Sequence, residues 1–255
     1  PLHHTFEFSA GLIVPLARGA QITYLHELTG EAISSALKKG HVTAIVGVPA
    51  LWELLRRRVL QRFSDKSPVL GAAMRALADV HYELRARTGL NLGVLAFFPV
   101  HEGFGGRIKY LISGGSALPA EVLKTFYGLG FNFFEGYGLT ETAPVLTVTS
   151  PKEKPILGSV GKPLAGLEVK LDNVDGSGVG EVIARGRNVM AGYWKDDDAT
   201  AAVIKDGWFH TGDLGKFDED GHLYLVGRSK EIIVDANGKN VYPDEIEDLY
   251  RETPW

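Results

Sequence analysis

The sequence predicts an α/β fold followed by a small antiparallel β unit, and three observations carry that prediction. Residues 20–62 alternate between strand-like and helix-like runs, at lengths that suit parallel strands joined by crossover helices. Two further apolar runs, 108–113 and 131–134, lead straight into glycine-rich turns, where open α/β sheets place their ligand sites. Beyond about residue 150 short strand-like runs are punctuated by Asp-Gly and Gly-Ser-Gly, the chemistry of hairpins.

The elements follow in order. Residues 20–25 (Ala-Gln-Ile-Thr-Tyr-Leu) read as a strand. A helix over 29–39 has Thr29 as its N-cap, Glu31 in its first turn and Gly40 as its stop. Residues 41–48 form a β-branched strand bounded by Pro49, and 50–62 return to helical spacing. Residues 66–105 are mostly helical, and Arg75, Arg85 and Arg87 read as a solvated basic face. A strand at 108–113, a helix at 121–129 and a strand at 131–134 come next. The β unit is expected from strands at 168–171, 180–185 and 222–226. A strand-like run at 231–235, an Ala-Asn-Gly turn and a helix opening at Pro243, with Asp244, Glu245 and Glu247 at its positive end, close the chain.

Composition excludes several classes. The 255 residues are long enough for one or two domains, and 45% hydrophobic with 23% charged residues is ordinary globular composition. A net charge of −4 offers no basic stripe for nucleic acid. The absence of cysteine excludes disulfides, thiolate metal sites and a thiol nucleophile within the sequence, and it suits a reducing compartment. Apolar runs such as 42–52 are too short to span a bilayer. The opening Pro1-Leu-His-His-Thr-Phe, without Met or leader, and the ending Thr253-Pro-Trp255 read as a piece of a longer chain.

Three short runs concentrate the chemistry. The first is Gly136-Tyr137-Gly138-Leu139-Thr140-Glu141-Thr142. Its glycines allow close backbone approach to a ligand, Tyr137 offers a stacking face, and Thr140 with Glu141 can reach a phosphate oxygen and a magnesium ion. The same two residues could equally cap a helix N-terminus. The second run, Gly207 to Asp213, ends in an aspartate that could simply start a turn. The third is Gly227-Arg228-Ser229-Lys230-Glu231. Upstream, Ser113-Gly114-Gly115-Ser116-Ala117-Leu118 is by itself no more than a tight turn after a strand. His3 and His4 lack a third ligand at suitable spacing for a metal.

In this order the runs resemble the signatures of the AMP-forming adenylate synthetases, which include acyl- and aryl-CoA ligases, luciferases and peptide-synthetase adenylation domains. The resemblance implies that Gly114, Gly115 and Ser116 pack on one face of adenine while Tyr137, flanked by Gly136 and Gly138, covers the other. It implies that Thr140 and Glu141 bind the α-phosphate and magnesium, that Asp213 accepts from both ribose hydroxyls, and that Arg228 contacts ribose or phosphate. Lys230 falls at the family's hinge, and His4 falls beside its acyl tunnel, although a lone histidine is as readily structural. The implied fold is a large N-terminal α/β domain over 1–150, a small antiparallel β-barrel-like subdomain over 151–226, and from 227 a hinge and the start of a C-terminal α+β domain. The helical insert at 66–105 and the run from Lys239 to Glu247 are most similar to long-chain fatty-acid CoA ligases.

The implied substrates are a fatty acid, ATP with magnesium, and coenzyme A as cosubstrate, in a cytoplasmic protein with scope for peripheral membrane contact. A carrier-protein thiol in place of coenzyme A, or a non-catalytic nucleotide-binding module, are the competing readings; chain length and oligomeric state stay open. The family's phosphate loop and C-terminal catalytic lysine are not found in the sequence, so the isolated chain is expected to show little ligase activity.

Overall fold

A computed structural model describes residues 2–25, 27, 29–150 and 153–231, together with 233, 234, 240, 241 and 243. Two compact units emerge: residues 1–135 with 150–157, and residues 136–149 with 158–255.

In the first unit, short helices α1 (Thr5–Phe8) and α2 (Val14–Ala17) flank a π-helical turn, and α3 (Gly30–Lys39) follows. Thr29 caps α3 as expected, its Oγ1 accepting from the Ala32 amide at 3.2 Å, while Lys38 and Lys39 sit at the negative end. Strand β1 (Ala44–Gly47) leads into α4 (Pro49–Ser64), which opens with Pro49 in its first turn. The insert forms α5 (Pro68–Thr88), α6 (Gly93–Ala96) and α7 (Phe98–Gly103). Strand β2 (Tyr110–Ser113), α8 (Ala120–Gly128) and β3 (Phe133–Tyr137) complete the unit. Strands β1, β2 and the first half of β3 are parallel neighbours in that order.

The core gathers Trp52, Leu111, Val122, Phe126, Leu129, Phe131 and Phe133. Trp52 is fully buried, meets Phe133 edge-on at 5.1 Å, and satisfies its indole N–H on the Gly47 carbonyl at 3.1 Å.

Two expectations fail in this unit. Residues 20–25 are not a strand: Tyr24 and Leu25 are exposed, and no described strand pairs with the run. Alternation alone supplies no partner for a strand's backbone donors and acceptors. Arg85 is not on a solvated face but buried. Its guanidinium donates to the carbonyls of Tyr127 (3.0 Å) and Phe131 (2.8 Å) and to Asn132, and lies over the Tyr127 ring. The end of α8 leaves carbonyls without intrahelical donors, and a cation there answers that need. His81 and His101 bond the neighbouring carbonyls of Gly128 and Leu129. Burial lowers the His101 pKa, and its ring stacks on Phe131 at 4.2 Å.

In the second unit, the end of β3 pairs antiparallel with β4 (Thr147–Val148), and β4 with β5 (Lys162–Pro163). A curled antiparallel sheet then takes the order β10-β9-β7-β6, built from β6 (Glu168–Asp172), β7 (Gly180–Arg185), β9 (Trp208–Phe217) and β10 (Leu223–Arg228). Short β8 (Ile204–Lys205) pairs with β9 and follows helix α9 (Asp197–Val203). Its core contains Leu146, Val182, Ala184 and Leu223. The hairpin punctuation works through carboxylates. Asp175 Oδ1 accepts from the amides of Ser177 (2.8 Å) and Val179 (3.1 Å), and Asp218 Oδ1 from those of Asp220 (3.0 Å) and His222 (2.8 Å). The Ser177 hydroxyl, donating to Asp175 Oδ1 at 2.6 Å, contributes most at Asp175, and together these bonds hold both carboxyls below the usual range.

Strands β11 (Ile233–Val234) and β12 (Asn240–Val241) pair antiparallel, in keeping with the strand expected at 231–235. Pro243 is helical; the expected turn at 236–238 and the acidic helix start at Asp244, Glu245 and Glu247 lie outside the described residues. Among the described residues no helix is long and apolar enough to cross a membrane.

Candidate functional site

In the second unit the fold brings three of the expected residues into one hydrogen-bonded group. Tyr137 Oη donates to Asp213 Oδ2 at 2.7 Å, and Arg228 Nε donates to Asp213 Oδ1 at 2.8 Å. Asp213 is buried, while half of the Arg228 side chain faces solvent. Burial above all, with the Asp213 charge beside it, raises the Tyr137 pKa, so the phenol stays a donor. The bond to Asp213 and its charge raise the Arg228 pKa further, and the contact is a single charge-assisted hydrogen bond.

Strand irregularities set this geometry. Asp213 is not the start of a turn, because β9 runs through the whole Trp208–Phe217 segment. Between β10 and β9 the register is Leu225 to Gly215, then Gly227 to Leu214, then Arg228 to Asp213. Uninterrupted pairing would set Gly227 opposite Asp213; the bulge at Val226 sets Arg228 there instead. On its other side β9 is irregular as well, with Glu181 opposite Leu214 and Ile183 opposite His210. Glu181 ties down the intervening stretch, accepting from the Gly212 amide (3.0 Å) and from His210 Nδ1 (2.9 Å). Asp172, Glu181 and His210 have ligand atoms within 4.8 Å of one another, but Glu181 Oε1 already holds the Gly212 amide and Oε2 the His210 ring. Thr211 adds a further brace, its Oγ1 accepting from the Asp213 amide at 3.0 Å and donating to Val182 O at 2.7 Å.

The motif around Gly136 is part strand, part turn. Gly136 and Tyr137 end β3, and Thr140–Thr142 make a single 3₁₀ turn. Thr140 and Glu141 are therefore not the N-terminal caps of a regular helix. The hydroxyl exchanging bonds with the Leu139 backbone belongs to Thr142. A side chain at Gly138 would collide with the Pro144 carbonyl, so glycine is required there by close chain approach. Glu141 is half-buried, and its Oε1 accepts from Tyr193 Oη at 2.9 Å. Lys230 is exposed in the 3₁₀ turn Ser229–Glu231 after β10.

His4, Gly114, Gly115 and Ser116 belong to the first unit. Gly115 and Ser116 are exposed, and Gly115 has φ +91°, a conformation that favours glycine. Gly114 packs against Phe6, and a Cβ there would lie 2.7 Å from the ring. Phe6 occupies the space that the missing side chain opens. His4 caps α1, its Nδ1 accepting from the Phe6 amide at 3.3 Å and lying 3.0 Å from Glu7. Its Cε1 would stand 3.8 Å from a Cβ at Gly115, so the histidine borders this loop.

Sequence reasoning missed Tyr193, Glu181, His210, Thr211 and Glu135. Glu135 had a visible signal, a carboxylate embedded in Phe131-Asn-Phe-Phe-Glu-Gly-Tyr. It is buried, and desolvation pushes its pKa up to about 8, against a bond from the Leu118 amide (3.3 Å) that lowers it.

Comparison with known proteins agrees with these motifs. The AMP-binding enzyme family matches residues 1–194. The long-chain-fatty-acid–CoA ligase FadD15 of Mycobacterium bovis is 35% identical over 222 residues, covering 83% of this chain and 36% of that protein. The long-chain-fatty-acid–CoA ligase ACSBG2 of Gallus gallus is 32% identical over 267 residues, 99% of this chain and 35% of its own length. The chain thus spans about a third of these curated relatives. Among solved structures, the O-succinylbenzoate coenzyme A synthetase (MenE) of Bacillus subtilis in complex with ATP and magnesium ion superposes with a TM-score of 0.73 at 25% identity, over 99% of this chain and 45% of that one. ATP-bound MatB from Rhodopseudomonas palustris gives 0.74 at 26% identity, over 100% of this chain and 44% of that one. With its motifs in order, its fold shared and most of its length matched, the chain belongs to the AMP-binding enzyme family.

Proposed function

We propose that the chain is part of an AMP-forming acid–thiol ligase acting on long-chain fatty acids. The fatty carboxylate attacks the α-phosphorus of ATP, the α–β anhydride bond breaks, and pyrophosphate leaves. Coenzyme A sulfur then attacks the acyl carbon, and AMP departs while the thiol proton passes to solvent. Such displacements depend on positioning and charge neutralisation rather than on a protein nucleophile, in keeping with a sequence that has no cysteine.

The observation that carries this reading is the Tyr137–Asp213–Arg228 group. Among the described residues each Asp213 oxygen has one side-chain donor, and a carboxylate has about four acceptor positions. Two ribose hydroxyls can therefore still be accepted, beside the Arg228 guanidinium. Gly114, Gly115, Ser116 and Tyr137 are assigned to adenine, Lys230 to the hinge and His4 to the border of the acyl tunnel. Thr140 and Glu141 offer only oxygen donors, which suits magnesium; when bound, that ion would neutralise phosphate charge. The domain division at 150 and 226 belongs to the same proposal.

The test uses the full-length protein containing this chain, in acid-dependent pyrophosphate exchange with graded fatty acids and with aromatic acids. Asp213→Ala should raise KM for ATP by about two orders of magnitude, from two charge-acceptor hydrogen bonds, with little change in KM for the acid. Absence of fatty-acid-dependent exchange, or preference for aromatic acids, would overturn the assignment. Coenzyme A against carrier protein as acceptor tests the second half-reaction.

A further inference from the structure

We propose that Tyr193 is a positioning residue for the cation-binding carboxylate: its hydroxyl fixes Glu141 and thereby sets the affinity for the nucleotide-bound divalent cation. The proposal rests on the reading of Glu141 given above. Tyr193 stands 52 residues from Glu141 in sequence, yet its Oη lies 2.9 Å from Glu141 Oε1. Among the described residues the bond engages Oε1 and orients the carboxylate, so that Oε2 can serve a cation.

Glu141 needs such a partner because its own turn is weak. The 3₁₀ element Thr140–Thr142 is three residues long and followed by Ala143 in the left-handed region. A flexible glutamate on an isolated turn would lose rotamer freedom on binding a metal. A strap formed by residues 188–193 supplies the missing rigidity. Asn188 Nδ2 donates to the carbonyls of Thr142 and Val145, both at 2.8 Å, and the Met190 amide donates to the Glu141 carbonyl at 2.8 Å. Backbone and side chain of Glu141 are thus held by the same segment.

Tyr193 is itself aimed by folded structure. Its amide donates to Thr200 Oγ1 (2.9 Å), and Thr200 Oγ1 donates to Asp196 O (2.8 Å). Asp196 in turn caps α9 through the Ala199 amide at 2.9 Å. Gly192 passes so near Thr200 that a Cβ would lie 2.8 Å from its methyl group, so the strap seats against α9 only with glycine there.

The test uses the full-length protein with Mn²⁺ as a paramagnetic probe, titrated in the presence of ATP and read by electron paramagnetic resonance. Tyr193→Phe and Tyr193→Ala should both weaken Mn²⁺ binding by roughly tenfold, the effect of one hydrogen bond to a charged group. Both should need correspondingly more Mg²⁺ for half-maximal pyrophosphate exchange, with KM for the fatty acid unchanged. Thr200→Val, which removes the acceptor of the Tyr193 amide and leaves phenol and carboxylate in place, should weaken Mn²⁺ binding in the same direction. A role through packing alone predicts that Phe restores what Ala loses. Wild-type Mn²⁺ affinity in Tyr193→Phe would therefore overturn the proposal, whatever Thr200→Val shows. Failure of the wild-type protein to bind Mn²⁺ with ATP would overturn the adenylate-site reading and this proposal with it.

Discussion

Replacing Glu135 by Gln should flatten part of the pH dependence of stability. Glu135 lies on β3 opposite Ser113 of β2, buried, with its carboxyl pushed up to about 8 from 4.5. A raised carboxyl keeps in the folded state a proton that the unfolded chain has released. Its contribution is fully present below pH 4.5 and is lost as pH rises through about 8. Each pH unit inside that window removes about 1.4 kcal/mol. The loss reaches about 3 kcal/mol by neutral pH and about 5 kcal/mol across the whole window, a large share of an ordinary domain's stability.

The Glu135→Gln side chain keeps the shape and an oxygen acceptor for the Leu118 amide, but has no proton to lose. The assay is urea unfolding of both proteins at intervals from pH 5 to pH 8, with the slope against urea checked for constancy. Other titrating groups cancel in the difference between the two proteins. Wild-type stability should fall relative to the variant by about 3 kcal/mol or more between pH 5 and pH 8. Parallel profiles would refute the argument, because they would mean that Glu135 is ionised in the folded protein throughout.

Two other substitutions probe the framework. Arg85→Leu should destabilise the protein by about 3 kcal/mol or more, because the Tyr127 and Phe131 carbonyls lose a charged donor in a buried place; the urea midpoint at constant slope measures it, and a midpoint equal to wild type would contradict it. Tyr137→Phe should weaken AMP binding to the full-length protein by roughly tenfold, since Asp213 loses its 2.7 Å phenolic donor; calorimetric titration with AMP reads the change, and unchanged affinity would remove Tyr137 from the group.

What the sequence made legible was local, and what it hid was long-range. Thr29 and Gly40 bracket α3, and Asp175 and Asp218 shape their hairpins, because each acts on residues a few positions away. Arg85 was readable in principle. It follows Met74, Ala78 and His81 at helical spacing, and all four share the buried face of α5. Its charge argued for solvent more strongly than its position argued for burial. The strand expected at 20–25 shows the opposite error, since its alternation says nothing about whether a partner strand exists.

The candidate site divides the same way. The motifs name Asp213, Arg228, Tyr137 and Glu141, but residue type does not say which atoms face each other. That information resides in register, and register here depends on one extra residue. Without the bulge at Val226, Gly227 rather than Arg228 would stand opposite Asp213, and the aspartate would lose its charged partner while the sequence motif stayed intact. The strap from Asn188 to Tyr193 makes the same point for Glu141, because three of its contacts with the 141–145 turn are to backbone carbonyls and carry no side-chain signature at the receiving end. A motif in this chain therefore specifies which groups are available, and the irregularities of the antiparallel unit determine which of them meet.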